Sequence, residues 1–228
     1  MKIKNFLEFG IQNIIEILNF KKPNIKLDNF FWFFGEPQGI CLVSHIDTVF
    51  SEPQNKIVIQ KKNIITSPDG LGADDRAGVF ALLYLMQKLL PQNVCYLFTN
   101  FEEMGGQGAS KACSQLNLIK IKYFIEIDLY GFGQSVFYNS ENRIFKNYIN
   151  KFGFVETPGT FSDISILGKF YNKPAVNLSA GYYRNHSKTE FLDIESLFYT
   201  ISKTILLIKD YNNCKNLNFK ISNLNFEF

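Results

Sequence analysis

Two histidines occur in this 228-residue sequence, and each stands close to groups that can work with it. The first lies in "LVSHIDTVF", two residues ahead of an aspartate and just after an apolar run. In an extended segment residues i and i+2 point the same way, so His45 and Asp47 project together from a strand end. A carboxylate behind an imidazole is the arrangement of a metal ligand and the group that fixes its ring. Other carboxylates follow other apolar runs: Asp74 and Asp75 in "GLGADDRAG", Glu102 and Glu103 in "FEEMGG", and Asp128 at the end of "IKYFIEID". The second histidine, His186, follows "AVNLSA" in "GYYRNHSKTE". Two imidazoles with several carboxylates form a hard-to-borderline ligand set suited to zinc, manganese or cobalt. Each motif also has a plainer reading when taken alone. A lone histidine is more often hydrogen-bonded structure, "FEEMGG" makes a solvated turn, and Asp74 or Asp75 suits a helix N-cap. Capping is account enough for Asp75.

The elements that must position these groups alternate between two periods. "MKIKNFLEFGIQNIIEILNF" interrupts its apolar residues with Glu8, Gln12, Asn13 and Glu16 at helical spacing, which describes an amphipathic helix. "NFFWFFG" and "GICLVS" read as strands, and "NKIVIQKKNIITS" as a hairpin turning at Lys61 to Asn63. Residues 75–90 form a largely apolar helix stopped by Pro91. "NVCYLFTN", "IKYFIEID", "SVFYN" and "KPAVNLSA" continue the strands, with helices between them and a long helix over 190–211. Uniformly apolar strands alternating with helices predict a three-layer α/β sandwich, a mixed, largely parallel central sheet flanked by helices. In such sheets sites form at the carboxyl ends of strands, which is where both histidines and the carboxylate clusters fall. The tail "NLNFKISNLNFEF" alternates in two phases and suggests a terminal hairpin.

Bulk properties exclude several classes. Apolar residues at 46% and a net charge of +3 suit one globular domain over residues 1–228, with lysines spread rather than clustered. There is no electrostatic case for nucleic acid. The longest unbroken apolar run, residues 79–86, is too short to span a bilayer. The four cysteines form no CxxC pair and read as buried thiols in a reducing compartment. The expected location is therefore cytoplasmic.

In order along the chain, "SHIDTV", "GLGADDRAG", "FTNFEEMGGQGA", "EID" and "NLSAGYYRNHSKTE" resemble the co-catalytic zinc exopeptidases. That superfamily includes zinc aminopeptidases, peptidase T and glutamyl-type aminopeptidases, and the likeness spans roughly residues 39 to 200. The resemblance implies two divalent metal ions, zinc foremost, with cobalt or manganese as alternatives. It implies His45 and Asp128 as ligands of the first ion, Glu103 and His186 of the second, and Asp74 as the bridge. Asp47 orients the His45 ring, Glu102 is the general base, and a cis peptide joins Asp74 to Asp75. Three ligand carboxylates and one bridging hydroxide balance two divalent ions, which keeps a buried cluster near neutral. Asp163 in "ETPGTFSDISIL" is the candidate to meet a substrate ammonium, and capping the following helix explains it equally well. Tyr182 and Tyr183 are candidate oxyanion donors.

The implied function is a metal-dependent aminopeptidase acting on short peptides. The sequence departs from larger relatives by carrying neither of their inserted domains. Between Asp128 and His186, 186 − 128 leaves 58 positions, and between His45 and Asp74, 74 − 45 leaves 29. That describes a bare catalytic core and leaves the oligomeric state open. The rival reading is an N-acyl amino acid deacylase or carboxypeptidase, which needs an arginine for the substrate carboxylate. Arg184, two residues before His186, keeps that reading alive. A non-catalytic protein retaining the fold is the third, against which all the motif residues stand intact.

Overall fold

Strand β3 (Gln38–His45) sends Ile40 and Leu42 to one face and Cys41 and Val43 to the other, and all four are fully buried. A strand apolar on both faces requires cover on both sides, which is what residues 2–50, 56–88, 93–138, 142–214 and 217 provide in the computed structural model. Eight strands form the central sheet. Their order is β1 (Ile25–Leu27), β2 (Phe31–Phe34), β6 (Val94–Thr99), β3, β7 (Lys120–Leu129), β10 (Ala175–Ser179), β8 (Gln134–Tyr138) and β9 (Val155–Glu156). The four central strands β6, β3, β7 and β10 run parallel to one another. Antiparallel pairing appears toward the edges, at β1–β2, β2–β6 and β10–β8. The sheet is therefore mixed and largely parallel, as the alternation of elements predicts.

On one face pack α1 (Ile3–Leu7), α2 (Ile11–Phe20), α3 (Ala73–Lys88), α5 (Arg143–Asn150) and α7 (Ile194–Lys209), with Phe6, Leu82, Tyr148 and Leu207 in a shared core. On the other lie α4 (Gln107–Gln115) and α6 (Asp163–Tyr171), whose Ala109, Ala112, Ile164 and Leu167 cover Val43, Leu97 and Phe124. Each fully buried large side chain contributes roughly 1.5–3 kcal/mol, so the two cores hold the parallel strands and hence the relative positions of their ends. A second, antiparallel sheet of β11 (Tyr182–Tyr183), β12 (Phe191–Asp193), β5 (Ile64–Thr66) and β4 (Ile59–Lys61) sits beside the strand ends. The β4–β5 hairpin is the one expected between His45 and Asp74.

Three elements differ from expectation for local reasons. The first amphipathic stretch is two helices, because Gly10 is extended (φ −79°, ψ 167°) and its N–H donates to Asn13 Oδ1 at 3.1 Å. The long helix starts at Ile194 rather than 190. Residues 191–193 pair with β5 instead, and Asp193 caps the helix by accepting the Glu195 N–H at 3.0 Å. The short strand β1 pairs with β2 and was not expected. The predicted terminal hairpin, and Pro91 as a helix stop, lie outside the described residues. All four cysteines are free and buried.

Candidate metal centre

The parallel strands β3, β6 and β7 end together, and each delivers one part of the site. Strand β3 ends in His45, β6 leads into the turn holding Glu102 and Glu103, and β7 carries Asp128. Asp74 comes from the start of α3, where Asp74 (ψ 106°) and Asp75 (ψ 37°) are not helical and the bond joining them is cis, as the resemblance implies. The helix proper follows. Asp75 accepts the Gly78 N–H at 2.9 Å and the Ser44 hydroxyl at 2.6 Å, so the capping reading of Asp75 holds. Gly78 is needed here: a Cβ would collide with the Ile127 carbonyl and the Asp75 carboxylate. His186 arrives on the loop after β11 with a left-handed backbone (φ +59°), and Phe101, beside Glu102, is left-handed too (φ +64°).

The five expected ligands converge. His45 Nε2 lies 3.3 Å from Asp74 Oδ1 and 3.4 Å from Asp128 Oδ1. His186 Nε2 lies 3.2 Å from Asp74 Oδ2 and 3.1 Å from Glu103 Oε1. Asp74 thus faces one imidazole with each oxygen. On the far side of the first ring, His45 Nδ1 is 3.1 Å from the Asp47 carbonyl and 3.3 Å from its carboxylate. A proton on Nδ1 satisfies both and leaves the Nε2 lone pair facing Asp74 and Asp128. The Asp47 carboxylate also accepts the N–H groups of Glu102 and Glu103, each at 3.2 Å. Glu102 Oε2 stands 4.0 Å from His45 Nε2.

So many carboxylates in one buried place perturb one another. Burial, with the charges of Asp128, Asp163 and Glu103, pushes Glu102 up to about 8. Burial and Asp74 push Asp128 up to about 7, and the same two causes raise Glu103. Asp74 moves the other way: burial opposes its charge, but hydrogen bonds from His186 and His45 hold it well below the usual range. The Asp74 hydrogen bond raises His186 to about 9. Burial works against a charged His45, yet Asp128, Asp47 and Asp74 hold it well above the ordinary imidazole value. Glu103 Oε1 is buried and faces the His186 ring.

Buried carboxylates need a cation or a proton. Ligand atoms of His45, Asp74 and Glu103, and of His45, Asp75 and Asp128, lie within 4.8 Å of one another. Because Asp75 is already committed to Ser44 and Gly78, Asp74 is the better partner for His45 and Asp128. Imidazole nitrogens and carboxylate oxygens on two sides of one aspartate fit a pair of divalent ions.

The centre opens into a cavity of about 510 Å³. Its lining includes Asp74, Glu102, Glu103, Asp128, His186 and Tyr182, with Tyr130, Tyr138 and Phe161 across from them. Tyr182 is buried, and its hydroxyl engages Asp128 at 2.8 Å (backbone) and 3.1 Å (carboxylate). Two expected substrate contacts are not brought here. Asp163 is fully buried beneath the site, takes the Thr99 hydroxyl, and is absent from the lining. Helix α6 is capped instead by Glu126, whose carboxylate accepts the Ile164 N–H at 3.2 Å and the Ser162 hydroxyl. Tyr183 is off the lining and stacks on Phe191, centroids 4.9 Å apart.

Sequence reading missed three groups. Asn185 donates to Asp74 Oδ2 at 2.9 Å, Asn177 accepts the Asp128 N–H at 2.9 Å, and Glu190 accepts backbone N–H groups around Asp74. The last sits in the motif containing His186, but its partners are more than a hundred residues away and nothing in the pattern announces them.

Fold and site together define an α/β metallopeptidase. The description of peptidase family M28 matches residues 35–156, more than half of the chain, and the chain belongs to that family. It is accordingly a metal-dependent peptidase. Among solved structures, a tripeptidase from Staphylococcus aureus superposes with a TM-score of 0.71 at 16% identity, covering 92% of this chain and 97% of that one. The aminopeptidase PepT from Bacillus cereus gives 0.68 at 14% identity over the same shares. A Pyrococcus horikoshii peptidase, described as assembling into a tetrahedron or a large octahedral shell, gives 0.66 at 16%, covering 90% and 97%. At these identities the likeness establishes the fold. No curated protein matches the chain significantly in sequence. Among the described residues no helix is long and apolar enough to cross a membrane.

Proposed function

We propose that the chain is an aminopeptidase that removes N-terminal residues from short peptides at a centre of two divalent ions, zinc foremost, cobalt or manganese otherwise. The observation that carries this reading is Asp74, with one oxygen toward His45 and the other toward His186. His45, Asp74 and Asp128 would hold one ion; Asp74, Glu103 and His186 would hold the other. When bound, the ions supply a Lewis acid for the scissile carbonyl and a water that loses its proton near neutral pH. Glu102 takes that proton and returns it to the leaving amine. Asp47 keeps the His45 ring in the tautomer that presents Nε2, and Tyr182 holds Asp128 in place rather than serving as a free oxyanion donor.

The cavity lining supports the direction of attack. It carries carboxylates and aromatic rings and, among the described residues, no lysine or arginine. Outside the metal-centre residues the lining therefore offers a substrate α-carboxylate no lysine or arginine to pair with, which is what the deacylase and carboxypeptidase readings need. Arg184, on which a deacylase or carboxypeptidase reading depends, is exposed and off the lining. A volume of about 510 Å³ suits a short peptide. The test is hydrolysis of tripeptides and aminoacyl-p-nitroanilides, free and N-acetylated, by zinc-loaded protein. Free amines should be cleaved and acetylated ones at least about tenfold more slowly, a difference of about 1.4 kcal/mol in transition-state binding. Equal or faster cleavage of the acetylated series overturns the aminopeptidase reading.

A further inference from the structure

Glu190 carries a carboxylate with no place in the ligand set, and it is wholly buried. It lies four residues beyond His186 on the segment leading into β12. Its Oε2 accepts the N–H of Gly72 at 2.5 Å and of Ala73 at 3.2 Å; its Oε1 accepts the N–H of Asp74 at 3.2 Å. These are three successive backbone donors ending at the bridging aspartate. Loops that present a run of inward-facing N–H groups are nests for an anion, and here the anion is a side chain of the same protein. Two cations feel it. Arg76, fully buried, is lowered by burial to about 10 against the attraction of Glu190, and Lys56 is lowered by burial to about 8 against the same attraction.

We propose that Glu190 is a positioning residue that ties the backbone of the bridging Asp74 to the segment carrying His186, setting the spacing of those two ligands before an ion binds. The proposal rests on the metal-centre reading given above. Asp74 and His186 are 186 − 74 = 112 positions from each other in sequence, and they come from different elements. They meet through Asn185 at the side chain of Asp74, and through Glu190 at its backbone. A carboxylate suits the task because it is acceptor-only, with lone pairs enough for three donors. An amide of the same shape does not: one oxygen becomes NH₂ and faces either the Asp74 N–H or the Gly72 and Ala73 pair. Loss of partners that orient metal ligands typically weakens metal binding by about 10–100-fold.

The experiment uses the full chain, stripped of metal with a chelator and titrated with zinc against a chromophoric competitor. Wild type is compared with Glu190→Gln and with Leu207→Ala, a buried truncation in α7 away from the centre. Thermal unfolding in chelator is recorded for each. Glu190→Gln should lose about 10–100-fold in zinc affinity, while Leu207→Ala lowers the unfolding temperature and leaves zinc affinity at wild-type level. An affinity for Glu190→Gln no lower than that of Leu207→Ala overturns the positioning role, since destabilisation alone would then explain the variant. Should Glu190→Gln not fold, Glu190→Asp takes its place. Shortening the carboxylate by one methylene withdraws it from at least one of its three donors, and wild-type zinc affinity in that variant overturns the proposal too. Zinc binding by wild type without peptide hydrolysis would sink the aminopeptidase reading and leave this inference standing. Failure of wild type to bind zinc would sink both.

Discussion

Stripping the metal should make the protein's stability fall as pH rises from 5 to 7, the reverse of ordinary carboxylate-driven behaviour. Among the buried acids with raised values, Asp128 stands at about 7 and Glu102 at about 8. In the unfolded chain both have lost their protons by about pH 5. A raised folded value means that the stabilising effect is complete below the unfolded value and is lost as pH rises through the folded one. His45, also raised, has the same sign. Asp47 and Asp74 are lowered, so their contributions change only below about pH 4, outside the window. His186 is half exposed and is left out because solvent screens its interactions. Because these acids share protons, one proton retained by the folded state is a conservative count. One proton gives a slope of about −1.4 kcal/mol per pH unit, hence about 3 kcal/mol from pH 5 to 7. For a chain of this size that lowers the unfolding temperature by roughly 5–10 °C. Zinc demands deprotonated ligands, so the rise in unfolding temperature on adding zinc should grow over the same interval. The assay is thermal unfolding by circular dichroism at pH 5, 6 and 7, in chelator and in zinc. A flat or rising temperature in chelator would refute the account of the buried acids.

Glu102→Gln should keep zinc content and unfolding temperature near wild type while turnover drops by roughly 10²–10⁴-fold, and full activity would remove Glu102 as the base. Glu103→Ala takes away one of three protein groups facing the second position, so bound zinc measured by elemental analysis should fall by about one ion per chain; undiminished zinc would contradict the assignment. Gly78→Ala forces a methyl against the Ile127 carbonyl and the Asp75 carboxylate and should cost about 1–3 kcal/mol by denaturant unfolding, and an unchanged midpoint would show that α3 can back away from β7.

The candidate ligands could be picked out in the sequence because they depend on two local facts: an apolar run that becomes a buried strand, and the residue types just past its end. His45, Asp128 and the Glu102–Glu103 pair all come from that rule. The parallel centre of the sheet follows from strands such as residues 40–43 that are apolar on both faces. What could not be read depends on how distant segments approach one another. Glu190 meets Gly72 across 118 positions, and Glu126 meets Ile164 across 38. Asp163 misled for the same reason. Its position at the head of a helix suits a site residue or a cap, and only the packing of α6 over β3 and β7 shows that its carboxylate turns inward to Thr99 while Glu126 does the capping. Tyr182 and Tyr183 are neighbours on a strand and therefore face opposite ways. One reaches Asp128 and the other stacks on Phe191, so a pair proposed together was bound to divide.

Asp47 shows why the site is held by more than its ligands. Its carboxylate receives the His45 ring on one oxygen and the backbone N–H groups of Glu102 and Glu103 on both. A turn that must present two glutamates, one facing His186 and the other near His45, cannot rely on side-chain packing alone, since Glu103 is only half-buried and Glu102 borders the cavity. Anchoring the backbone of both residues to one carboxylate fixes the turn from beneath. Because that carboxylate also faces Nδ1 of His45, the ring that presents Nε2 and the turn that carries Glu102 are referred to a single point. Glu190 does for Asp74 and the His186 segment what Asp47 does for His45 and the glutamate turn. In both cases an acceptor-only side chain, outside the ligand set, gathers backbone donors from a loop whose conformation the ligands need.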